Sequence, residues 1–96
     1  MLNDKQQRLY EAFTTSTHEG EHLDSKTETL VGLAAAMAMD CAPCINYYMK
    51  LARQQKVSKE EISEVLAKVM SVAAGQKRLQ MIDVMERYKL DLTDYK

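Results

Sequence analysis

Proline occurs once and glycine three times in 96 residues, so the chain has few of the residues that interrupt helices or build tight turns. Leu, Ala, Met, Lys, Glu and Gln are abundant and hydrophobic residues make up 46%, which favours helices over strands. No stretch shows the two-residue alternation of a half-buried strand, and there is no internal repeat or low-complexity tract. Basic runs are also missing. With 13 Lys and Arg against 14 Asp and Glu, the net charge of −1 offers no attraction to nucleic acid or anionic lipid, so neither is expected as a partner. The longest apolar run, Leu30 to Met39, covers roughly 15 Å, half the hydrocarbon core of a bilayer, which excludes a membrane-spanning helix. The polar start from Met1 to Gln7 lacks the apolar core of a signal peptide, so the expected location is cytoplasmic. The expectation is one all-α domain over residues 1–96.

Cysteine is scarce as well, but both copies fall in one unit, Cys41-Ala-Pro-Cys44, directly after the apolar run. A disulfide closing so short a loop constrains little unfolded-state entropy, so in a reducing compartment the pair reads as a redox or metal group rather than a staple. Its place at a helix start stabilises whichever sulfur becomes the thiolate.

A first helix is expected from Asn3 or Asp4, burying Leu9, Tyr10 and Phe13 and fading through Thr14 to Thr17. A polar link, His18 to Leu23, leads to Asp24 or Ser25 as cap of a second helix, with Ser25 and Glu28 spaced as a capping box. Because Leu30 to Met39 carries no polar side chain, that helix is expected to run through the core. Asp40 is placed to cap the next helix, with Pro43 in its first turn, where a missing N–H costs nothing. In that frame Cys41, Cys44, Ile45, Tyr48, Leu51 and Ala52 share one face. Ser58 and Glu61 form a second capping box ahead of Ile62, Val65, Leu66, Val69, Met70 and Ala73. Gly75 is expected to break that helix before a last one bearing Leu79, Ile82, Met85 and Tyr88.

Other chemistries fit the residues less well. A thioredoxin-like C-x-x-C needs a central sheet and a second, cis proline, and this chain has neither. Zinc could draw on Cys41, Cys44, His18 and His22 only if the flexible link folded over the helix start. His18-Glu19-Gly20-Glu21-His22 also matches the H-E-x-x-H of zinc proteases, but Gly20 weakens the required helix and a third ligand is missing. The link therefore reads as a solvated connection, and no metal or other cofactor is expected. Most of the seven methionines read as core filler. Tyr48 is either a core aromatic or a donor to the thiolate one turn earlier.

From Phe13 to Tyr88 the chain resembles the carboxymuconolactone decarboxylase family. The residues that carry the likeness are Leu23 to Val31, the Ala/Met-rich run, Asp40 to Ile45 and Val57 to Ile62, and the C-x-x-C resembles the alkylhydroperoxidase D branch. The resemblance implies a helical protomer forming homotrimers or homohexamers. It also implies a dithiol–disulfide cycle with Cys44 as the peroxidatic thiolate and Cys41 as its resolving partner. The positions of that branch's relay glutamate and histidine are Thr29 and Tyr48 here, and Pro43 replaces a histidine often found between the cysteines. Glu28 neighbours the relay position but lies about 100° around the helix. The expected function is thus a thiol-dependent redox enzyme with Cys44, Cys41 and Tyr48 at its site. It would reduce a small-molecule hydroperoxide or a disulfide and be regenerated by an external thiol reductant. The competing reading is a non-catalytic helical oligomer or metal-binding module.

Overall fold

The computed structural model describes all residues 1–96 and is helical with no strand. Helix α1 spans Asp4–Ser16, α2 Ser25–Ala38, α3 Ala42–Gln54 and α4 Lys59–Arg87, followed by a 3-10 turn at Leu92–Asp94.

The helix starts follow the expected cap chemistry. Asn3 caps α1 in a capping box with Gln6, and Ser58 and Glu61 cap α4 in another. At α2, however, the cap is Asp24, whose side chain accepts the Thr27 N–H at 2.7 Å; Ser25 is already helical and the expected Ser25–Glu28 box does not form. That backbone N–H holds the Asp24 carboxyl below the usual carboxylate range. Asp40 does not cap α3 either. Its backbone is left-handed, with φ of 52°, and it ends α2: the Asp40 N–H donates to Met37 O at 3.2 Å and the Cys41 N–H to Ala36 O at 3.0 Å. This is a Schellman closure, normally built on glycine. The same pair of bonds ends α3 at Lys56 and α4 at Lys89, both also left-handed. With the turn after α2 this short, Cys41 itself becomes the cap of α3.

Gly75 does not break the chain. α4 runs through it for 29 residues, because one glycine costs about 1 kcal/mol relative to alanine and no cap signal accompanies it. The expected fourth and fifth helices are therefore one.

Packing centres on α2, against which α3 and α4 each pack without packing on one another. Thr29, Leu33 and Ala36 of α2 and Ala52 of α3 are the four fully buried residues. Ile45, Tyr48 and Leu51 are half-buried, as their shared face requires, and so are Ile62, Val65, Leu66 and Val69 on the first half of α4. Elsewhere the expected core is uncovered. α1 touches no other helix, and Leu9, Tyr10 and Phe13 are 60%, 58% and 67% exposed rather than buried. Val31, Met39, Met70, Met81, Leu79 and Tyr88 also face outward, so α2 is not enclosed and those methionines are not core filler. The physical reason is the arrangement itself: three helices meeting along α2 have no third layer to cover their outer apolar stripes. The radius of gyration is 19.2 Å, against about 12–13 Å for a compact domain of this length.

Candidate functional site

Cys41 and Cys44 are joined as a disulfide, with their Cα atoms 5.2 Å apart. Cys41 is the N-cap of α3 and makes no side-chain cap bond, Pro43 lies in the first turn, and the first helical bond runs from Ile45 N–H to Cys41 O at 2.9 Å. The amides of Ala42 and Cys44 thus lie ahead of the helical ladder, at the positive end of the α3 dipole, which favours negative charge there. Both cysteines are half-buried, so the pair is open to small reactants without being loose on the surface.

Tyr48 lies one turn beyond Cys44 on α3 and seats its ring on Gly32 of α2. A Cβ built on Gly32 would come 2.8 Å from Tyr48 Cδ1 and closer still to Cε1 and Cζ, so only glycine leaves room for the ring. Burial pushes the Tyr48 hydroxyl above the ordinary phenol range, reinforced by Tyr47 and the Glu28 carboxylate. Tyr48 is therefore a neutral O–H donor at physiological pH. Its ring meets Tyr47 edge-on at 5.0 Å.

Thr29, at the position of the branch's relay glutamate, is fully buried and its one hydroxyl proton is shared between two acceptors, Ser25 O at 2.9 Å and Gln55 Oε1 at 2.8 Å. It fastens α2 to the end of α3 and carries no ionisable group. Glu28, offset around α2 from the relay position, lines a cavity of about 200 Å³ together with Tyr48, Thr29, Gln55, Tyr47 and His18. Gly32 and Gln55 carry no signal in the sequence, because only the approach of α3 to α2 brings them to Tyr48 and Thr29; the sequence offers His18 only as part of a solvated link or a zinc candidate, and Glu28 only as a cap partner beside the relay position.

His18 and His22 do not join the cysteines. His18 meets Tyr47 edge-on at 5.5 Å, while His22 is exposed beside Glu21. No group of three or more His, Cys, Asp or Glu side chains stands close enough to hold a metal ion. No helix is long and apolar enough to cross a membrane. The largest groove, about 740 Å³, lies on the far half of α4 between Met81, Met85 and Leu92, away from the cysteines and lined mainly by apolar side chains.

Together these features define an all-helical chain presenting a bonded C-x-x-C pair at a helix start, a chemistry compatible with redox exchange. Residues 5–87 match the model of the carboxymuconolactone decarboxylase family, and the chain belongs to that family. A comparison with curated proteins finds no match.

Proposed function

We propose that the protein is a cytoplasmic thiol-dependent oxidoreductase that cycles between the Cys41/Cys44 dithiol and disulfide. Its substrate is a small-molecule hydroperoxide or a disulfide, and an external thiol reductant regenerates the dithiol. The observation that carries this reading is the Cys41–Cys44 bond at the start of α3, in a member of a family that includes enzymes.

The steps balance without a further cofactor. The Cys44 thiolate attacks the distal oxygen of ROOH, forming an S–O bond as the O–O bond breaks, and the departing alkoxide takes a proton to leave as ROH. The Cys41 thiol then attacks Cys44–SOH, forming the disulfide and releasing water. With a disulfide substrate, Cys44 forms the mixed disulfide and Cys41 resolves it, releasing two thiols. Thiolate formation relies on the α3 dipole and first-turn amides, because Thr29 and Tyr48 supply no carboxylate–imidazole pair beside Cys44.

The uncovered faces of α1 and α4 support self-association, as homotrimer or homohexamer, since a chain burying four residues fully leaves most of its apolar surface to a second copy. The test of function is stopped-flow loss of free thiols from the reduced protein on adding cumene hydroperoxide or oxidised dithiothreitol, with Cys44→Ser alongside. Joint loss of both thiols in the unaltered protein, absent from Cys44→Ser, is expected; inertness to both oxidants would overturn the proposal.

A further inference from the structure

We infer that α1 of one copy of the chain lies in the groove on the far half of α4 of a second copy, so that each copy gives one helix and receives another. This rests on the self-association proposed above, names the surfaces that meet, and is independent of the cysteine chemistry.

α1 has an apolar face and nothing in its own chain to lay it on. Leu9 and Phe13, four residues apart, fall on one line of the helix with Tyr10 at its border, while Asp4, Arg8 and Glu11 lie on the opposite side. All three apolar residues are more than half exposed, Leu2 just ahead of the cap is nearly so, and α1 touches no other helix. A helix of 13 residues without tertiary contact is marginal in water, so α1 needs a surface to pack on.

The groove is the matching deficit. Every residue of α4 from Met70 to Val84 is exposed. The left-handed stop at Lys89 then turns the chain back, so that Leu92 joins Met81 and Met85 as walls of the 740 Å³ space. From Met70 to Arg87 the helix offers roughly 27 Å of length, enough for the roughly 20 Å of α1. The chemistry also fits. Methionine thioethers adapt to aromatic rings, and the Lys77 and Arg78 side chains that border the groove can lay their stems and cations over the rings of Tyr10 and Phe13.

The groove of its own chain is out of reach of α1. Gly20, in the link that follows α1, lies against Glu28 near the start of α2, and the Lys26–Glu61 ion pair ties the start of α2 to the start of α4. Met81 stands roughly 30 Å further along α4 than Glu61, and Phe13 is only one turn ahead of the link. Pairing two grooves with each other would leave α1 bare, whereas placing α1 in the groove of another copy covers both surfaces. The area is sufficient. Leu2, Leu9, Tyr10 and Phe13 offer roughly 100 Å² apiece, and a matching area of the groove brings the loss for each copy to about 800 Å², the share of one partner in a stable interface.

The test places the photo-crosslinker p-benzoylphenylalanine at position 13 of the full chain and illuminates it at micromolar concentration. Denaturing gels under reducing conditions, peptide mapping by mass spectrometry and sedimentation of the unaltered protein complete it. A product of twice the chain mass is expected, with the link mapped between Lys77 and Leu92. Met81→Asp, at an exposed site that leaves α1 untouched, should lower its yield by about tenfold. A link to α1 or α2 of the other copy, a link within one chain, a yield indifferent to Met81→Asp, or an oligomer that gives no such product would overturn the inference and leave self-association standing. A monomer in sedimentation with no product of doubled mass would overturn both.

Discussion

Replacing Gly32 by alanine tests the seat of Tyr48 through a change of sign. The added methyl would lie 2.8 Å from Tyr48 Cδ1 and nearer to Cε1 and Cζ, whereas relaxed carbon contacts are about 3.5–4.0 Å, so the ring or α3 must retreat by about 1 Å. The rigid ring cannot bend aside, and moving α3 disturbs the packing of Leu33 and Ala52, both fully buried. Such overpacking costs about 1–3 kcal/mol, offset by about 0.5–1 kcal/mol for alanine over glycine within a helix. The net loss is about 1 kcal/mol at the middle of those ranges and about 2.5 kcal/mol at most, each kcal/mol lowering Tm by about 4–8 °C for a domain of this size. With Tyr48→Ala as background the obstruction is gone, and the same Gly32→Ala change should stabilise by about 0.5–1 kcal/mol. Urea unfolding followed by circular dichroism, at one fixed protein concentration, reads all four corners of the cycle. Destabilisation of equal size in both backgrounds would show that the Tyr48 ring does not rest on Gly32.

Lys56 ends α3 in a left-handed conformation that glycine adopts freely, so Lys56→Gly should raise stability by about 0.5–1 kcal/mol in the same assay, and a loss would contradict the strain assigned there. Stability should fall at both ends of the pH range. Glu61, lowered chiefly by its bond to Lys26, and Asp24, lowered by the Thr27 N–H, stabilise above the ordinary carboxylate range and lose that contribution as pH drops through their lowered values. Tyr48, raised by burial, contributes below about pH 10 and loses its contribution as pH climbs through its raised value. Glu61→Gln should flatten the acid side and Tyr48→Phe the alkaline side; unchanged profiles would contradict both assignments. Phe13→Asp, on the exposed face of α1, should shift sedimentation at micromolar concentration toward smaller species, and an unaltered protein that sediments as a monomer would refute self-association.

What could be read in the sequence was local. The capping residues Asn3 and Ser58, the single proline in the first turn of α3, and the shared face of Ile45, Tyr48 and Leu51 follow from spacing and side-chain chemistry within a few residues. The cysteine pair was legible for the same reason, as both sulfurs belong to one helical turn. Misreadings arose where a neighbour decides. Asp40 looked like a cap, but the tight corner made it the left-handed stop of α2 instead. Gly75 looked like a break, yet α4 continues through it. Leu9, Tyr10 and Phe13 have the pattern of a buried stripe, and a pattern says that a face is apolar without saying which chain covers it. His18 and Glu28 are ten residues apart in sequence and meet Tyr48 only because α3 folds back on α2, so the polar cavity carried no one-dimensional signal.

The claim on which the rest depends is reversible two-electron chemistry at Cys41 and Cys44. Equilibrating the protein in thiol–disulfide buffers of graded potential and counting alkylatable thiols by intact mass tests it directly. Both thiols should disappear together in a single step, with a midpoint between about −120 and −270 mV, the range of thiol oxidoreductases. Two thiols persisting in the most oxidising buffer, one thiol lost independently of the other, or a disulfide that resists reduction below about −300 mV as structural bridges do, would contradict it.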